Sequence, residues 1–73
     1  MEYNMIENGR RLVELRGQKS REQVAFDNGI SVSSLAAYEL GQRNPRDDVK
    51  CSLAEYYHVP VGDIFYPEKV HFA

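Results

Sequence analysis

The stretch that decides the fold runs from Ser20 to Gly41, SREQVAFDNGISVSSLAAYELG, and it holds two short helical patterns joined by NGIS at residues 28–31. Each pattern begins with a serine. Ser20 stands three residues before Gln23, and Ser31 opens the second pattern. A serine at a helix N-cap accepts a hydrogen bond from one of the first backbone N–H groups, and a glutamine three residues later can complete a capping box. The sequence therefore predicts two helices that start at their serines.

A glycine lies where the first of these helices must end. Only a residue that tolerates positive φ turns the chain sharply there without strain, and Gly29 meets this requirement. Val24 and the small Ala25 share one face of the first helix. Leu35 and Tyr38, three residues apart, share one face of the second. Two short helices, a tight turn with glycine and a small residue that allows close approach are typical of a helix-turn-helix.

Length and composition limit what surrounds this unit. The chain has 73 residues, 42% hydrophobic and 27% charged, which suits one globular domain with a small core. No apolar run approaches the roughly 18 residues of a membrane span, and the N-terminus lacks the pattern of a signal peptide. A single cysteine, Cys51, cannot form an internal disulfide and makes no metal-ligand spacing with the two distant histidines. We therefore expect a cytoplasmic protein with no metal or other cofactor.

Charge is unevenly distributed along the chain, whose net charge is −2. Between residues 10 and 21, five cations stand against one anion, and Arg43 and Arg46 form a second basic group after the helix-turn-helix. Both ends of the chain are acidic. Duplex DNA is held largely through neutralisation of its phosphates, so basic residues on both sides of one helix favour a DNA-binding surface. The alternative interpretation is a merely solvated face.

The first predicted helix runs from about Met5 to Arg16, because apolar residues recur there at helical spacing. Residues 1–4 are expected to fray. Gly9 is interpreted as a weak point of this helix, worth up to ~1 kcal/mol relative to alanine. The third helix is predicted to end at Gly41, which supplies the C′ residue.

Two further helices are predicted after Pro45. A fourth should run to about Tyr57, because proline suits a first helical turn and Asp47 and Asp48 suit the positive helix N-terminus. A short fifth helix is expected at residues 61–65. The expected inward-facing residues are Val49 or the stem of Lys50, then Leu53, Ala54, Tyr57, Val61, Ile64 and Phe65.

Four segments occur in an order that a known family shares. They are GRRLVELR at residues 9–16, SREQVA at 20–25, GISVSSLAAYELGQRNP at 29–45 and LAEYYHVPVGDIF at 53–65. In joint spacing they resemble the Cro and Xre-type phage-repressor helix-turn-helix family. The resemblance implies an all-α, lambda-repressor-like domain of five short helices at residues 5–66, followed by a C-terminal tail at residues 67–73.

The same resemblance implies a small transcriptional regulator, a repressor, that binds double-stranded DNA as a homodimer, with helix 3 in the major groove and helix 2 across the backbone. It implies that Arg21 and Ser34 contact DNA phosphates and that Arg43 contacts the DNA backbone on the other side of the groove. It also implies that Glu39 pairs with an arginine near the end of helix 1, for which Arg16 is the expected partner. The residues assigned to DNA are Lys19, Arg21, Ser31, Val32, Ser33, Ser34, Ala37 and Arg43.

This chain departs from the family pattern at several positions. Asn8, Lys19 and Asn28 stand where the family prefers apolar residues, so a thinner core is expected there. Helix 3 offers its groove face no arginine, glutamine or asparagine. It can meet thymine methyls and make a serine hydrogen bond, but it cannot form the bidentate pairs that discriminate bases by ~1–3 kcal/mol. We expect modest, A·T-leaning specificity with help from DNA shape and phosphate contacts.

Other functions remain as alternatives at this point. The same fold with an apolar helix 3 would suit docking to another protein, and Arg21 and Arg43 distinguish the two hypotheses because only DNA binding needs them. No residue constellation favours an enzyme, and no small-molecule site is evident. Cys51 is expected to be a core or half-buried residue, and Tyr56 to serve packing or a dimer surface. His58 and His71 are expected at the surface or at helix ends.

Overall fold

The computed structural model describes residues 4–66, which form five α-helices and no strand. The helices are α1 (Met5–Arg16), α2 (Arg21–Asp27), α3 (Val32–Glu39), α4 (Asp47–Tyr56) and α5 (Val61–Phe65). All five predicted helices are confirmed, and their ends agree to within about a residue except at the start of α4. Pro45 was expected in the first turn of that helix, and this was wrong: α4 begins two residues later at Asp47, with Arg46 as its N-cap. The predicted tail at residues 67–73, with His71, lies outside the described residues.

Both predicted serine caps are present. The Oγ atoms of Ser20 and Ser31 accept hydrogen bonds from the backbone N–H groups of Gln23 and Ser34, each at 3.0 Å. The capping box is only half formed, because the Gln23 side chain donates to Asp27 Oδ1 at 2.8 Å, within its own helix. Each serine thus satisfies one of the orphan donors at the start of its helix.

The predicted glycine turns are confirmed by backbone angles. Gly29 has φ 68° and Gly41 has φ 74°, directly after the ends of α2 and α3. His58 holds φ 61° after α4, where a glycine would be unstrained. At the other end, Asn4 was expected to fray, and this was wrong: its Oδ1 accepts from the Glu7 backbone N–H at 3.1 Å and caps α1.

The core lies where the five helices converge. Its buried hydrophobic residues are Leu12, Val24, Ala25, Leu35, Tyr38, Val49, Leu53, Ala54, Ile64 and Phe65. Val49 and Lys50 are both buried, and the Lys50 ammonium lies 5.6 and 4.6 Å from the ring centroids of Phe65 and Tyr66. The expectation that Cys51 is at least half-buried was wrong. It is exposed, because burial of both preceding residues turns the next position of α4 outward.

Gly9 is a packing requirement rather than a weak point. It is buried where α1 crosses the end of α3, and a Cβ atom there would lie 2.3 Å from the carbonyl oxygen of Glu39 and 2.7 Å from that of Tyr38. Both neighbours are backbone atoms, so no side chain can rotate away. The absence of a side chain at Gly9 sets how closely α1 approaches α3.

Asn28 and Asn8, which stand where the family prefers apolar residues, differ in how their side-chain amides are satisfied. Asn28 at the end of α2 donates from Nδ2 to the Val24 carbonyl at 2.8 Å and accepts from Ser52 Oγ of α4 at 2.7 Å. This pair of hydrogen bonds ties the helix-turn-helix to α4. Asn8 of α1 is 4% exposed and its Nδ2 has no hydrogen-bond partner among residues 4–66.

Candidate nucleic-acid interface

α3 divides into a buried side and an outer side. Leu35, Tyr38 and Glu39 face the interior. The outer side consists of Val32, Ser33, Ala36, Ala37 and, just beyond the helix, Leu40. Val32 is 38% and Leu40 56% exposed, Ser33 is exposed, and the two alanines are half-buried. The outer side is therefore small and mainly apolar, as the sequence predicted. Leu40, which the site prediction did not include, extends this surface at helical spacing from Ser33 and Ala37.

The first turn of α3 carries three of the predicted residues in one polar chain. Ser31 Oγ donates to Ser34 Oγ at 2.9 Å, in addition to capping the helix. The Nη1 atom of Arg43 lies 3.5 Å from the same Ser34 Oγ, and its guanidinium carbon lies 5.5 Å from the centroid of the Tyr38 ring. Arg43 therefore lies along α3, beside the outer side rather than away from it.

The other end of α3 carries an ionic cluster centred on Glu39. The Glu39 side chain has no exposed surface. Its Oε2 accepts from Arg16 Nε at 2.7 Å and its Oε1 from Arg16 Nη2 at 3.2 Å, which confirms the predicted partner. Oε1 also accepts from Arg21 Nε at 2.7 Å. One carboxylate thus joins α1, α2 and α3, and the second arginine was not predicted.

The cluster shifts the ionisation of two neighbouring groups. Hydrogen bonding to Glu39 raises the pKa of Arg16, against the opposing effect of burial. Burial, and then the negative charge of Glu39, raise the pKa of Tyr57 to about 12. Tyr57 directly follows α4, so the charge of the buried carboxylate also acts at the end of that helix.

Lys19 is not brought to α3. Its carbonyl oxygen accepts from Arg16 Nη1 at 2.9 Å, while its ammonium lies 5.8 Å from the ring centroid of Tyr56 in α4. The Tyr56 hydroxyl in turn donates to Asp27 Oδ2 at 2.7 Å. Tyr56, expected to serve packing or a dimer surface, therefore links α4 to the end of α2. Next to this link, Phe26 of α2 is 82% exposed.

Two other kinds of site are not formed by the residues that the structure describes. No helix between residues 4 and 66 combines the length and the apolar character needed to cross a bilayer. Within the same range, no three His, Cys, Asp or Glu side chains come together in a way that could hold a metal ion.

Capped helices, a glycine turn and a solvent-facing α3 define a helix-turn-helix protein. The family described as helix-turn-helix domain matches residues 7–64, and the chain belongs to it. A solved structure of the restriction-modification controller protein C.AhdI from Aeromonas hydrophila is similar, at 33% identity over 84% of this chain and 96% of that chain, with a TM-score of 0.75. No match was found among curated proteins.

These findings confirm the predicted resemblance and the five-helix fold. They make this chain a DNA-binding regulator of the helix-turn-helix class. The individual residues assigned to DNA stay predictions, and the structure places Ser31, Ser34 and Arg43 together at one end of α3 and Arg21 at the other.

Proposed function

We propose that this chain represses transcription in the cytoplasm by binding a specific DNA operator as a homodimer, with α3 in the major groove. The observation that carries the proposal is the outer side of α3, which is solvent-facing and has an arginine beside it at each end, Arg21 and Arg43. The likeness to a restriction-modification controller supports a controlling role for this chain in a restriction-modification system.

The outer side of α3 reads bases by shape and methyl contacts. Val32, Ala36 and Ala37 suit the C5-methyl groups of thymine, and the exposed hydroxyl of Ser33 can donate to or accept from a base edge. Residues 32–39 contain no side chain capable of a bidentate base contact. Specificity therefore leans toward A·T pairs and depends on groove shape for the remainder.

Phosphate contacts supply most of the affinity in this proposal. Ser34 Oγ accepts from Ser31 and lies near Arg43, which leaves the proton of its own hydroxyl for a phosphate oxygen. Arg43 extends from the same place and neutralises phosphate charge. These two contacts fix the position of α3 in the groove, and they carry no sequence information themselves.

The homodimer follows from size. A single module of this kind buries roughly 600–1,000 Å² on DNA, which is too little for tight specific binding. Two copies related by a two-fold axis place their recognition helices in successive major grooves, about 34–36 Å apart. The proposed operator is therefore palindromic, with half-sites one helical turn apart.

Two substitutions test the division between phosphate and base contacts. Arg43→Ala should weaken binding to every duplex alike and lower the slope of log K against log salt by about one unit. Ser33→Ala should change which sequences are preferred. Binding is measured by fluorescence anisotropy with duplexes retained from a randomised pool.

Arg10→Ala is the matched control, because Arg10 pairs with Glu7 at 3.2 Å on α1 and takes no part in the proposed interface. It should leave the dissociation constant unchanged to within twofold. An unchanged salt slope in Arg43→Ala would remove Arg43 from the interface. A uniform loss of affinity in Ser33→Ala would mean that Ser33 does not read bases.

A further inference from the structure

Glu39 is a charged side chain with no exposed surface, and it accepts hydrogen bonds from arginines of two other helices. Burying a charge is costly unless it is paired and hydrogen-bonded. One arginine would satisfy the carboxylate. The second, Arg21, reaches it from the first residue of α2, a position 18 residues away in the chain.

The two arginines use their donors differently. Arg16 engages all three of its nitrogens, with Nε and Nη2 on Glu39 and Nη1 on the carbonyl oxygen of Lys19. Its side chain is 18% exposed. Arg21 engages only Nε, and its side chain is 35% exposed. Among residues 4–66, neither terminal nitrogen of Arg21 is hydrogen-bonded, and neither is a buried atom without a partner.

We infer that Glu39 is a positioning residue for DNA binding: it holds Arg21 by Nε so that the two terminal amino groups of the guanidinium are presented to a DNA phosphate. The inference rests on the proposed function and adds Arg21, which the family resemblance assigned to phosphate, to the phosphate contacts of Ser34 and Arg43. Arginine is suited to this double role because its planar fork offers donors on separate edges.

The arrangement has two consequences for binding. A long side chain that is already held in one orientation loses less conformational entropy when it meets a phosphate. The carboxylate that holds Arg21 also belongs to the last residue of α3. The phosphate contact of α2 and the groove face of α3 are therefore fixed relative to each other through one side chain.

The substitution Arg21→Lys distinguishes the oriented, two-partner role proposed for Arg21 from a role that needs only its positive charge. A lysine ammonium is a single point donor, so it serves either Glu39 or the phosphate but not both in the arginine geometry. Arg21→Lys should keep the fold and weaken binding about tenfold, the loss expected for one charge-assisted hydrogen bond. Arg10→Lys makes the same change at an exposed arginine outside the interface and should bind like the wild type.

The experiment measures the dissociation constants of full-length variants for one duplex that wild type retains from a randomised pool, together with the slope against salt. Circular dichroism checks that each variant is folded. In a Glu39→Gln background, Arg21→Lys should cause less than a twofold further loss, because the carboxylate that orients the arginine is gone. Where Glu39→Gln does not fold, Glu39→Asp replaces it as the background: it keeps the charge but shortens the side chain by one methylene, and Arg21→Lys should again cause less than a twofold further loss.

The outcomes distinguish the inference from the function on which it rests. Wild-type protein that retains no duplex would overturn the proposed function, and the inference with it. If the wild type binds and Arg21→Lys binds with the same affinity and the same salt slope, only the positioning role is overturned. An equal tenfold loss from Arg21→Lys with and without Glu39 would also overturn it, because the arginine would then act without the carboxylate.

Discussion

Replacing Gly9 by alanine should destabilise the protein, although alanine is the better helix former. A Cβ at this position would lie 2.3 Å from the Glu39 carbonyl oxygen, whereas ordinary van der Waals contact begins near 3.4 Å. α1 would have to move from α3 by about 1 Å, because the obstructing atoms belong to the backbone. That movement would also disturb the pairing of Arg16 with Glu39 across the same two helices.

The size of the effect follows from two opposing contributions. Overpacking of a close helix contact costs about 1–3 kcal/mol, and more where backbone has to move. The higher helix propensity of alanine returns about 1 kcal/mol. Because the obstructing atoms at Gly9 are backbone atoms, the cost lies in the upper part of that range, about 2–3 kcal/mol. We therefore expect a net loss of about 1–2 kcal/mol in the free energy of unfolding, which lowers Tm by about 5–15 °C in a domain of this size.

The assay is urea denaturation followed by far-ultraviolet circular dichroism, with thermal melting as a second measure. Glu14→Ala is the matched control, since Glu14 is an exposed position of the same helix, where alanine should change stability by at most about 0.5 kcal/mol. If Gly9→Ala were more stable than the wild type, helix propensity would govern this position and the close approach of α1 to α3 would be refuted.

Three further substitutions test other parts of the structure. Arg16→Ala removes one of two partners of the buried Glu39 and should cost about 2 kcal/mol of unfolding free energy in urea denaturation; unchanged stability would mean that the pair is not structural. His58→Gly relieves a left-handed backbone at φ 61° and should raise stability by about 0.5–1 kcal/mol in thermal melts, and a decrease would contradict this. The pKa of Tyr57 is raised to about 12 in the folded state, above its unfolded value of 10.0. The folded state therefore gains stability from the protonated phenol that is complete below pH 10 and is lost as the pH rises from 10 to 12. Tyr57→Phe should therefore lose less stability than the wild type across that interval in urea titrations at fixed pH, and identical pH profiles would count against the shift.

The features that the sequence predicted well obey local rules. Ser20 and Ser31 each cap a helix by accepting a hydrogen bond from the backbone N–H three residues later. Gly29 and Gly41 are each favoured by the positive φ of one residue. The buried side of α3 follows from helical spacing alone. Such signals are complete within one or two turns, so a single sequence contains them.

The features that were missed depend on contacts between distant segments. Helix propensity marks Gly9 as unfavourable, and only its approach to the backbone of Glu39 explains the residue. The bond from Arg21 to the same glutamate joins positions 18 residues apart, and the family resemblance had assigned that arginine to phosphate alone. Cys51 was misplaced because the sequence left open which of Val49 and Lys50 is buried, and both are.

The structure brings some of the predicted site residues together and leaves others apart. Ser31, Ser34 and Arg43 come together because the α3 cap and the loop after Gly41 lie next to each other in the fold. The assignment of Lys19 to DNA stays a prediction, and its ammonium lies beside Tyr56 of α4 rather than next to α3. Charge counted along a sequence does not specify the direction in which a side chain extends from a turn.

The most direct test of the central claim is selection of DNA by the purified protein from a randomised duplex pool at about 50 and 200 mM salt, with sequencing of the retained fraction. The proposed interface predicts enrichment of an A·T-leaning, two-fold symmetric site whose half-sites lie one helical turn apart, and an affinity that falls steeply as salt rises. Retention of no duplex at the lower salt concentration would contradict the claim that α3 and its flanking arginines face DNA.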